Sequence, residues 1–132
     1  MFIQYAQFIY SNVDEDAEVV LVGFADQEFE TQEYILLQRS TVSDEQDKAL
    51  GLDKVHITIN GEECSGYCDI KEIILRSDSV EIILDDSTVK VLGVPNHVAI
   101  RFNAAVDQLH AIKNPLELMF QNEPETLKCT DL

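Results

Sequence analysis

The sequence predicts an α+β fold, in which a mainly antiparallel sheet of about seven strands carries a C-terminal helix packed on one face. Three observations lead to this fold class. Short apolar runs rich in β-branched and aromatic residues recur over most of the chain. Polar, acidic and turn-forming residues separate these runs. Apolar residues then take up helical spacing near the C-terminus, at Ala105, Leu109, Ile112, Leu116 and Met119 or Phe120.

Seven runs are predicted to be strands. They cover residues 2–10, 17–25, 32–40, 53–60, 69–76, 79–85 and 97–103. The clearest alternation is in the fourth run, where Val55, Ile57 and Ile59 alternate with polar residues. Asn60 and Gly61 follow that run and both tolerate positive φ, so they predict a turn. Short connections favour pairing between strands that are neighbours in the sequence.

A short helix is expected between the third and fourth strands. Ser43 and Gln46 form a capping signature, because each side chain can bond the backbone of the first turn. Gly51 stands where a helix commonly ends. One or two helical turns are therefore predicted at residues 44–50.

The C-terminal apolar stripe at residues 105–120 contains Pro115, which lacks the amide hydrogen that a helix interior needs. Asn114 followed by Pro115 is typical of a new helix start. The stripe therefore predicts either one kinked helix or two short helices. Because no linker or repeat divides the chain, residues 1–122 are predicted to form a single α+β domain, followed by a frayed tail at residues 123–132.

Composition and charge exclude several classes of partner. The 132 residues carry a formal net charge of −16, while 45% are hydrophobic, so the acidity does not indicate disorder. Nucleic acid and anionic membranes bind through Lys and Arg, and only nine basic residues are present. No apolar run approaches the length of a bilayer, and the N-terminus lacks a basic leader. We expect a cytoplasmic protein that binds neither nucleic acid nor membrane.

The cysteines do not predict a metal site. Cys64 and Cys68 lie four residues apart, but a structural zinc site usually needs four ligands, and Cys129 lies in the tail. The run from Asp14 to Asp16 lacks the Gly and the bidentate Glu of a calcium loop. An odd number of cysteines also fits a reducing compartment. We expect free thiols, no metal and no cofactor.

The sequence does not predict an enzyme. His56, His97 and His110 are isolated from one another, and neither a nucleophile-elbow motif nor a glycine-rich phosphate loop is present. Catalytic triads assemble in space, so a serine near one of these histidines stays open as an alternative. No catalytic residue is assigned.

Two motifs and an acidic segment resemble a known family. They are Val22-Gly23-Phe24-Ala25-Asp26, then Tyr34-Ile35-Leu36-Leu37-Gln38-Arg39, then Asp44-Glu45-Gln46-Asp47. In these residues, and from about Glu18 to Phe120, the chain resembles the immunity protein 10 family of bacterial polymorphic toxin systems. The resemblance implies a small cytoplasmic protein that binds and neutralises a cognate toxin, and it implies no particular catalytic residues.

The acidity is consistent with a cationic toxin, for example a nuclease, because nucleases need basic surfaces to hold phosphates. The alternative is that the toxin is not a nuclease and that the acidity serves solubility alone. In a simple meander, the loops at residues 11–16, 41–52 and 77–78 share one end of the sheet. The partner-binding residues predicted there are Asp14, Glu15, Asp16, Asp44, Glu45, Asp47 and Asp78. The opposite end collects Asp26, Glu28, Glu30, Glu33, Glu62, Glu63, Asp85 and Asp86. The first end is favoured because the capped turn at 44–50 would hold its carboxylates on a rigid frame.

Two alternatives to an inhibitor stay open at this point. One is a small acidic structural or assembly protein, and the other is a ligand-binding domain; neither has an inhibitory role. A toxin-like reading frame directly upstream of the gene would favour the inhibitor. The sequence does not indicate the oligomeric state.

Overall fold

The computed structural model describes residues 1–42, 45–51, 53–103 and 105–130. Within these residues, ten strands form two five-stranded sheets around a shared hydrophobic core. The predicted α+β class and the mainly antiparallel pairing are confirmed, with ten strands in place of about seven. The strands are β1 (Phe2–Ala6), β2 (Phe8–Asp14), β3 (Val19–Ala25), β4 (Tyr34–Ser40), β5 (Val55–Ile59), β6 (Ser65–Cys68), β7 (Ile70–Leu75), β8 (Ser79–Leu84), β9 (His97–Phe102) and β10 (Leu127–Cys129).

The two sheets differ in their pairing. Strands β2 to β6 pair in sequence order, each antiparallel to the next, and we call this sheet the meander sheet. The second sheet has the order β1-β9-β8-β7-β10 and is called the mixed sheet. Its three central strands are antiparallel, whereas β1 and β10 pair parallel to their neighbours. Pairing of sequence neighbours was therefore predicted correctly for most of the ladder.

Two single-residue corners join the sheets. The run predicted as one strand at residues 2–10 is split at Gln7, whose amide donates to the carbonyl of Ala25 at 2.9 Å. One part pairs with β9 in the mixed sheet, and the other pairs with β3 in the meander sheet. A second corner lies at Asp69, between β6 and β7. At Gln7 the corner lets one predicted strand serve both sheets, because its two halves pair with β9 and with β3.

Three elements were not predicted. Strand β6 covers residues at which no strand was predicted, and a helix α2 (Asp86–Leu92) follows β8. Asp85 caps α2 by accepting from the amide of Ser87 at 3.1 Å, and Gly93 ends the helix at φ 71°. Residues 127–129, expected in a frayed tail, form β10 beside β7. A three-residue strand carries too little periodicity to be seen in the sequence, and its pairing partner decides its conformation.

The short predicted helix is confirmed as α1 (Glu45–Ala49), and Gly51 follows at φ 74°. The predicted cap residue Ser43 lies outside the described residues. The C-terminal stripe forms one continuous helix, α3 (Val106–Met119), with Pro115 inside it. None of the helices in the described ranges is long and apolar enough to span a membrane.

Helix α3 packs against β2, β3 and β4, as predicted for a helix on one face of the sheet. Its buried side chains include Leu109, Ile112 and Leu116. They join a core to which both sheets contribute. Across the sheets, the rings of Phe24 and Phe102 stack with centroids 6.0 Å apart and planes 12° apart.

Pro115 leaves the carbonyl of Ala111 without its helical donor, since residue 115 has no amide hydrogen. The Ser11 hydroxyl on β2 donates to that carbonyl at 3.2 Å. This hydrogen bond explains how the helix tolerates proline at that position, and it ties the helix to the edge of the meander sheet.

Replacing Ser11 by alanine should therefore lower the free energy of unfolding by about 1 kcal/mol. In a Pro115→Ala background the loss should shrink toward zero, because residue 115 then supplies the missing donor. Urea denaturation of the four proteins in this double-mutant cycle measures the coupling. Equal losses from Ser11→Ala in both backgrounds would contradict the assignment.

Candidate functional site

The outer face of the meander sheet is the candidate interaction surface. Strand alternation turns Val20, Val22 and Phe24 toward the core, where each is at most 1% exposed. The alternate residues of β2, β3 and β4 point the other way and are exposed or half-buried. On the half of the sheet nearest the β3–β4 loop they include Phe8, Tyr10, Gly23, Tyr34 and Leu36.

A shallow, mostly apolar groove of about 340 Å³ lies over Gly23. Gly23 pairs with Tyr10 on β2 and with Leu36 on β4, so the three positions form one row across the sheet. A Cβ at Gly23 would lie 3.4 Å from Cδ1 of Leu36. The glycine therefore leaves the floor of the groove open, while the larger residues around it form the walls.

Residues 26–33, which join β3 to β4, form what we call the acidic loop. Glu28 and Thr31 of this loop line the groove. Between Glu28 and Glu30, Phe29 is 77% exposed, the largest exposed fraction among the described large hydrophobic residues. An apolar ring is thus presented to solvent between two glutamates of the sequence, in the loop whose Glu28 and Thr31 line the groove.

Hydrogen bonds inside the acidic loop define its shape. The amide of Asp26 donates to the carbonyl of Glu33 at 3.0 Å and closes the base of the loop. The Gln27 side chain donates to the Glu30 carbonyl at 2.7 Å, and the Thr31 hydroxyl donates to the Gln27 carbonyl at 2.9 Å. The conformation that presents Phe29 is therefore held by bonds within the loop.

Basic residues are distributed unevenly between the two sheets. In the five strands of the meander sheet, the single Lys or Arg is Arg39. Its guanidinium bonds the carbonyls of Asp53 and Met119. The mixed sheet carries Arg76, Arg101 and Lys128 on its outer side. The loops at the groove end of the meander sheet carry carboxylates and no base, namely Asp26, Glu28, Glu30, Glu33, Glu62 and Glu63. The meander strands thus present no Lys or Arg on their outer face, whereas the mixed sheet pairs Arg76 with Glu81 and Lys128 with Glu72.

The predicted partner-binding residues of the β2–β3 turn and α1 lie at the other end of the meander sheet. Asp14, Glu15 and Asp16 are exposed at that turn. On α1, Glu45 is exposed and Asp47 is half-buried. The amide of Thr41 donates to the carbonyl of Glu18 at 2.8 Å, so the turn and the segment leading to α1 are adjacent. Asp44 lies outside the described residues.

Asp78 does not share that end. It lies in the β7–β8 hairpin of the mixed sheet, where its carbonyl accepts from the amide of Phe102 at 3.0 Å. Phe102 stacks on Phe24, which lies five residues along β3 from Val19, about 17 Å in a strand. The expectation of a single meander fails here, because the chain changes sheet before this hairpin. The expectation that α1 forms a rigid frame also has less support, because no residue of α1 is buried.

Arg39 is a structural residue that sequence reasoning left without a role. Its Nε donates to the carbonyl of Asp53 at 2.7 Å, and Nη1 donates to the carbonyl of Met119 at 2.9 Å. Both Nη atoms bond the Glu123 carboxylate at 2.9 Å. The side chain is 10% exposed. The fork connects β4 to the C-terminal end of α3, whose last carbonyls lack helical partners.

The thiols lie in different environments. The Cys64 thiol donates to the carbonyl of Leu92 at 3.0 Å, and the buried Cys68 thiol donates to the carbonyl of Gly66 at 3.1 Å. Burial raises the pKa of Cys68 from 9.0 to about 11. All three cysteines are free, and the described part of the chain contains no group of three or more metal-ligating side chains placed to hold an ion.

Thiol titration should therefore find Cys129 reactive in the native protein and Cys68 protected until the chain unfolds, because the thiolate is the reactive form. Elemental analysis should find no zinc; about one zinc per chain surviving dialysis would contradict this.

The free energy of unfolding should depend on pH in a direction set by the raised pKa of Cys68. The unfolded chain loses this proton first, so the free energy of unfolding should fall between about pH 9 and pH 11.

Two histidines take part in surface hydrogen bonds. His97 contacts the Glu81 carboxylate at 3.0 Å, and Arg76 bonds the same carboxylate at 2.8 Å. These partners, Arg76 foremost, lower the pKa of Glu81. His56 contacts the side chain of Gln38 at 3.3 Å. Both arrangements are satisfied pairs on sheet surfaces, and neither presents an activated nucleophile.

The comparisons with known proteins agree with the resemblance in the sequence. The family model described as Immunity protein 10 matches residues 5–110, from β1 into α3. The matched span includes the meander sheet, the acidic loop and the groove over Gly23. A comparison with curated proteins found no match. Because the family model covers most of the chain, the protein belongs to the immunity protein 10 family.

Proposed function

We propose that this protein binds a cognate bacterial toxin and neutralises it by occupying its surface, without catalysis, in the cytoplasm. Family membership supports the inhibitory role. The observation that carries the proposal is the outer face of the meander sheet, which lacks exposed bases and is bounded by carboxylates at both ends. A surface of this kind is complementary to a positive one.

The proposed partner is a cationic toxin of the nuclease type. A nuclease domain must carry Lys and Arg to hold phosphates, and an acidic inhibitor can cover those side chains. The net charge of −16 raises the encounter rate with such a domain through long-range attraction.

The carboxylates predicted from the sequence have a defined part in this proposal. Those near the β2–β3 turn and α1 are exposed or half-buried, and they steer the toxin toward the sheet. They are Asp14, Glu15, Asp16, Glu45 and Asp47; Asp44, which lies outside the described residues, is included on its position in the sequence alone. Exposed charges act mainly on the association rate, because screening by solvent limits their share of the final affinity.

The test measures binding to the toxin domain that we expect a reading frame directly upstream of this gene to encode. Association with the wild-type chain should slow steeply between about 50 mM and 500 mM salt, a roughly threefold fall in Debye length. The triple variant D44K/E45K/D47K should associate about tenfold more slowly at low salt and with a flatter salt dependence. Its dissociation rate should change little.

The matched variant reverses three carboxylates at the other end, D26K/E28K/E30K. A slower association in this variant alone would place the steering surface at the acidic loop. Binding that is unchanged across the salt range in all three proteins would contradict the electrostatic part of the proposal. No binding to the upstream domain would favour a structural or ligand-binding role.

A further inference from the structure

We infer that Phe29 and the groove over Gly23 form the apolar anchor of the toxin interface. This inference rests on the proposed function and adds the binding residues and the chemistry of the partner's contact surface. The toxin surface that fits here presents an apolar or aromatic side chain to the groove, flanked by Lys or Arg that meet the acidic loop.

Phe29 is an apolar side chain that the fold leaves exposed. At 77% exposure the ring contributes little to the core, so folding gives no reason for an apolar residue between two glutamates. The loop that carries it is held by its own hydrogen bonds. An aromatic side chain has only two rotatable bonds and therefore loses little conformational freedom when it binds, so an aromatic residue on a hydrogen-bonded loop makes an effective contact.

The groove over Gly23 opens beside the acidic loop, since Glu28 and Thr31 line it together with residues of the sheet. Tyr10, 47% exposed, forms one wall, and Gly23 leaves the floor free. Phe29 can therefore enter the partner while a partner side chain enters the groove. Reciprocal anchors of this kind commonly pair near the centre of an interface.

Charge selects the occupant. The carboxylates around this end, Asp26, Glu28, Glu30, Glu33, Glu62 and Glu63, would repel a second copy of the same chain placed on the same face. They would attract a partner whose apolar residue is surrounded by bases. An apolar centre with a charged rim is the usual anatomy of a specific interface.

The size of the face sets how much of it a partner must cover. Strands β2, β3 and β4 have seven residues each, β5 has five and β6 has four, so the sheet covers roughly 20 Å by 20 Å, or about 400 Å². Specific interfaces bury roughly 800 Å² per partner. The acidic loop and the β2–β3 turn, which extend the sheet at both ends, must therefore contribute to the interface.

The anchor and the steering carboxylates differ in what they control. Apolar contacts at an interface centre act on the dissociation rate, whereas rim charges act on the association rate. Phe29→Ala should therefore raise the dissociation rate from the upstream toxin domain at least tenfold and leave the association rate within about threefold. Gly23→Val, which fills the floor of the groove from a strand position, should act in the same way.

Tyr5→Ala is the matched control. Tyr5 is 69% exposed on β1 of the mixed sheet, so this substitution removes an exposed aromatic ring from the opposite side of the molecule. The dissociation rate of the variant from the toxin domain should stay within about twofold of the wild-type rate. Circular dichroism and urea denaturation should give wild-type folding for Phe29→Ala and Tyr5→Ala, since both side chains are exposed.

Each outcome decides one question. A faster dissociation of Phe29→Ala and Gly23→Val, with Tyr5→Ala unchanged, supports the anchor. If the wild type binds and both Phe29→Ala and Gly23→Val dissociate at the wild-type rate, the inference of an apolar anchor is wrong and the proposed function stands. If the wild type does not bind the toxin domain, the proposed function fails. A dimer of the chain that Phe29→Ala dissolves in sedimentation velocity would assign the face to self-association and overturn the inference.

Discussion

Replacing Phe24 by alanine should lower the free energy of unfolding by about 4 kcal/mol. Phe24 is 1% exposed, and its ring stacks on Phe102 of the opposite sheet at 6.0 Å. Removing the ring leaves a cavity at the contact between the two sheets, where neither strand can move inward without breaking its ladder. Urea denaturation should show a lower midpoint with an unchanged slope.

Phe29→Ala is the control, because it removes the same side chain from the loop five residues later. Its free energy of unfolding should stay within about 0.5 kcal/mol of the wild type. Equal losses in the two variants would mean that Phe29 belongs to the folded core and is not held out for a partner. A loss below about 1 kcal/mol for Phe24→Ala would mean that the sheets are not joined by this contact.

Replacing Arg39 by methionine should lower the free energy of unfolding by about 3 kcal/mol. Methionine preserves most of the buried stem and removes the fork. The carbonyls of Asp53 and Met119 then lose a charged donor, and Glu123 loses its partner. A buried acceptor left without a donor costs about 1–3 kcal/mol, which accounts for most of the expected loss.

The control for this variant is Lys54→Met. Lys54 bonds Asp69 at 3.0 Å, but both side chains are more than 40% exposed, at 42% and 49%. An exposed ion pair contributes about 0–1 kcal/mol, so this variant should be close to the wild type. The loss in free energy of unfolding for Arg39→Lys should lie between the losses for Arg39→Met and Lys54→Met, because an ammonium cannot reproduce the planar guanidinium. Equal losses in free energy of unfolding for Arg39→Met and Lys54→Met would contradict the structural role of the Arg39 hydrogen bonds.

The strands that sequence reasoning predicted well are those with one buried face. Val55, Ile57 and Ile59 alternate with polar neighbours, and the structure buries all three. The corner at Gln7 was not predictable from such a pattern. Residues 2–10, rich in β-branched and aromatic side chains, predict one strand, and only the pairing partners β9 and β3 show that the segment serves two sheets.

The candidate site was predictable only in part. The acidic loop is visible in the sequence, and an isolated Phe29 among carboxylates is a signal that could have been used. The groove is not visible, since it depends on Gly23 lying opposite Tyr10 and Leu36 across three strands. Placing Asp78 beside Asp14 required a single meander, and the two-sheet topology removes that premise. Arg39 acquires its role from Glu123, a partner 84 residues away in the sequence.

Growth protection tests the central claim most directly. The toxin domain expected from an upstream reading frame is expressed from an inducible promoter in a bacterial host, with this protein or its variants supplied from a second plasmid. The account predicts that the wild-type chain restores growth, that Tyr5→Ala does so equally, and that Phe29→Ala requires more inhibitor for the same protection. Failure of the wild-type chain to restore growth, at expression levels at which it is soluble and folded, would contradict its assignment as the inhibitor of that toxin.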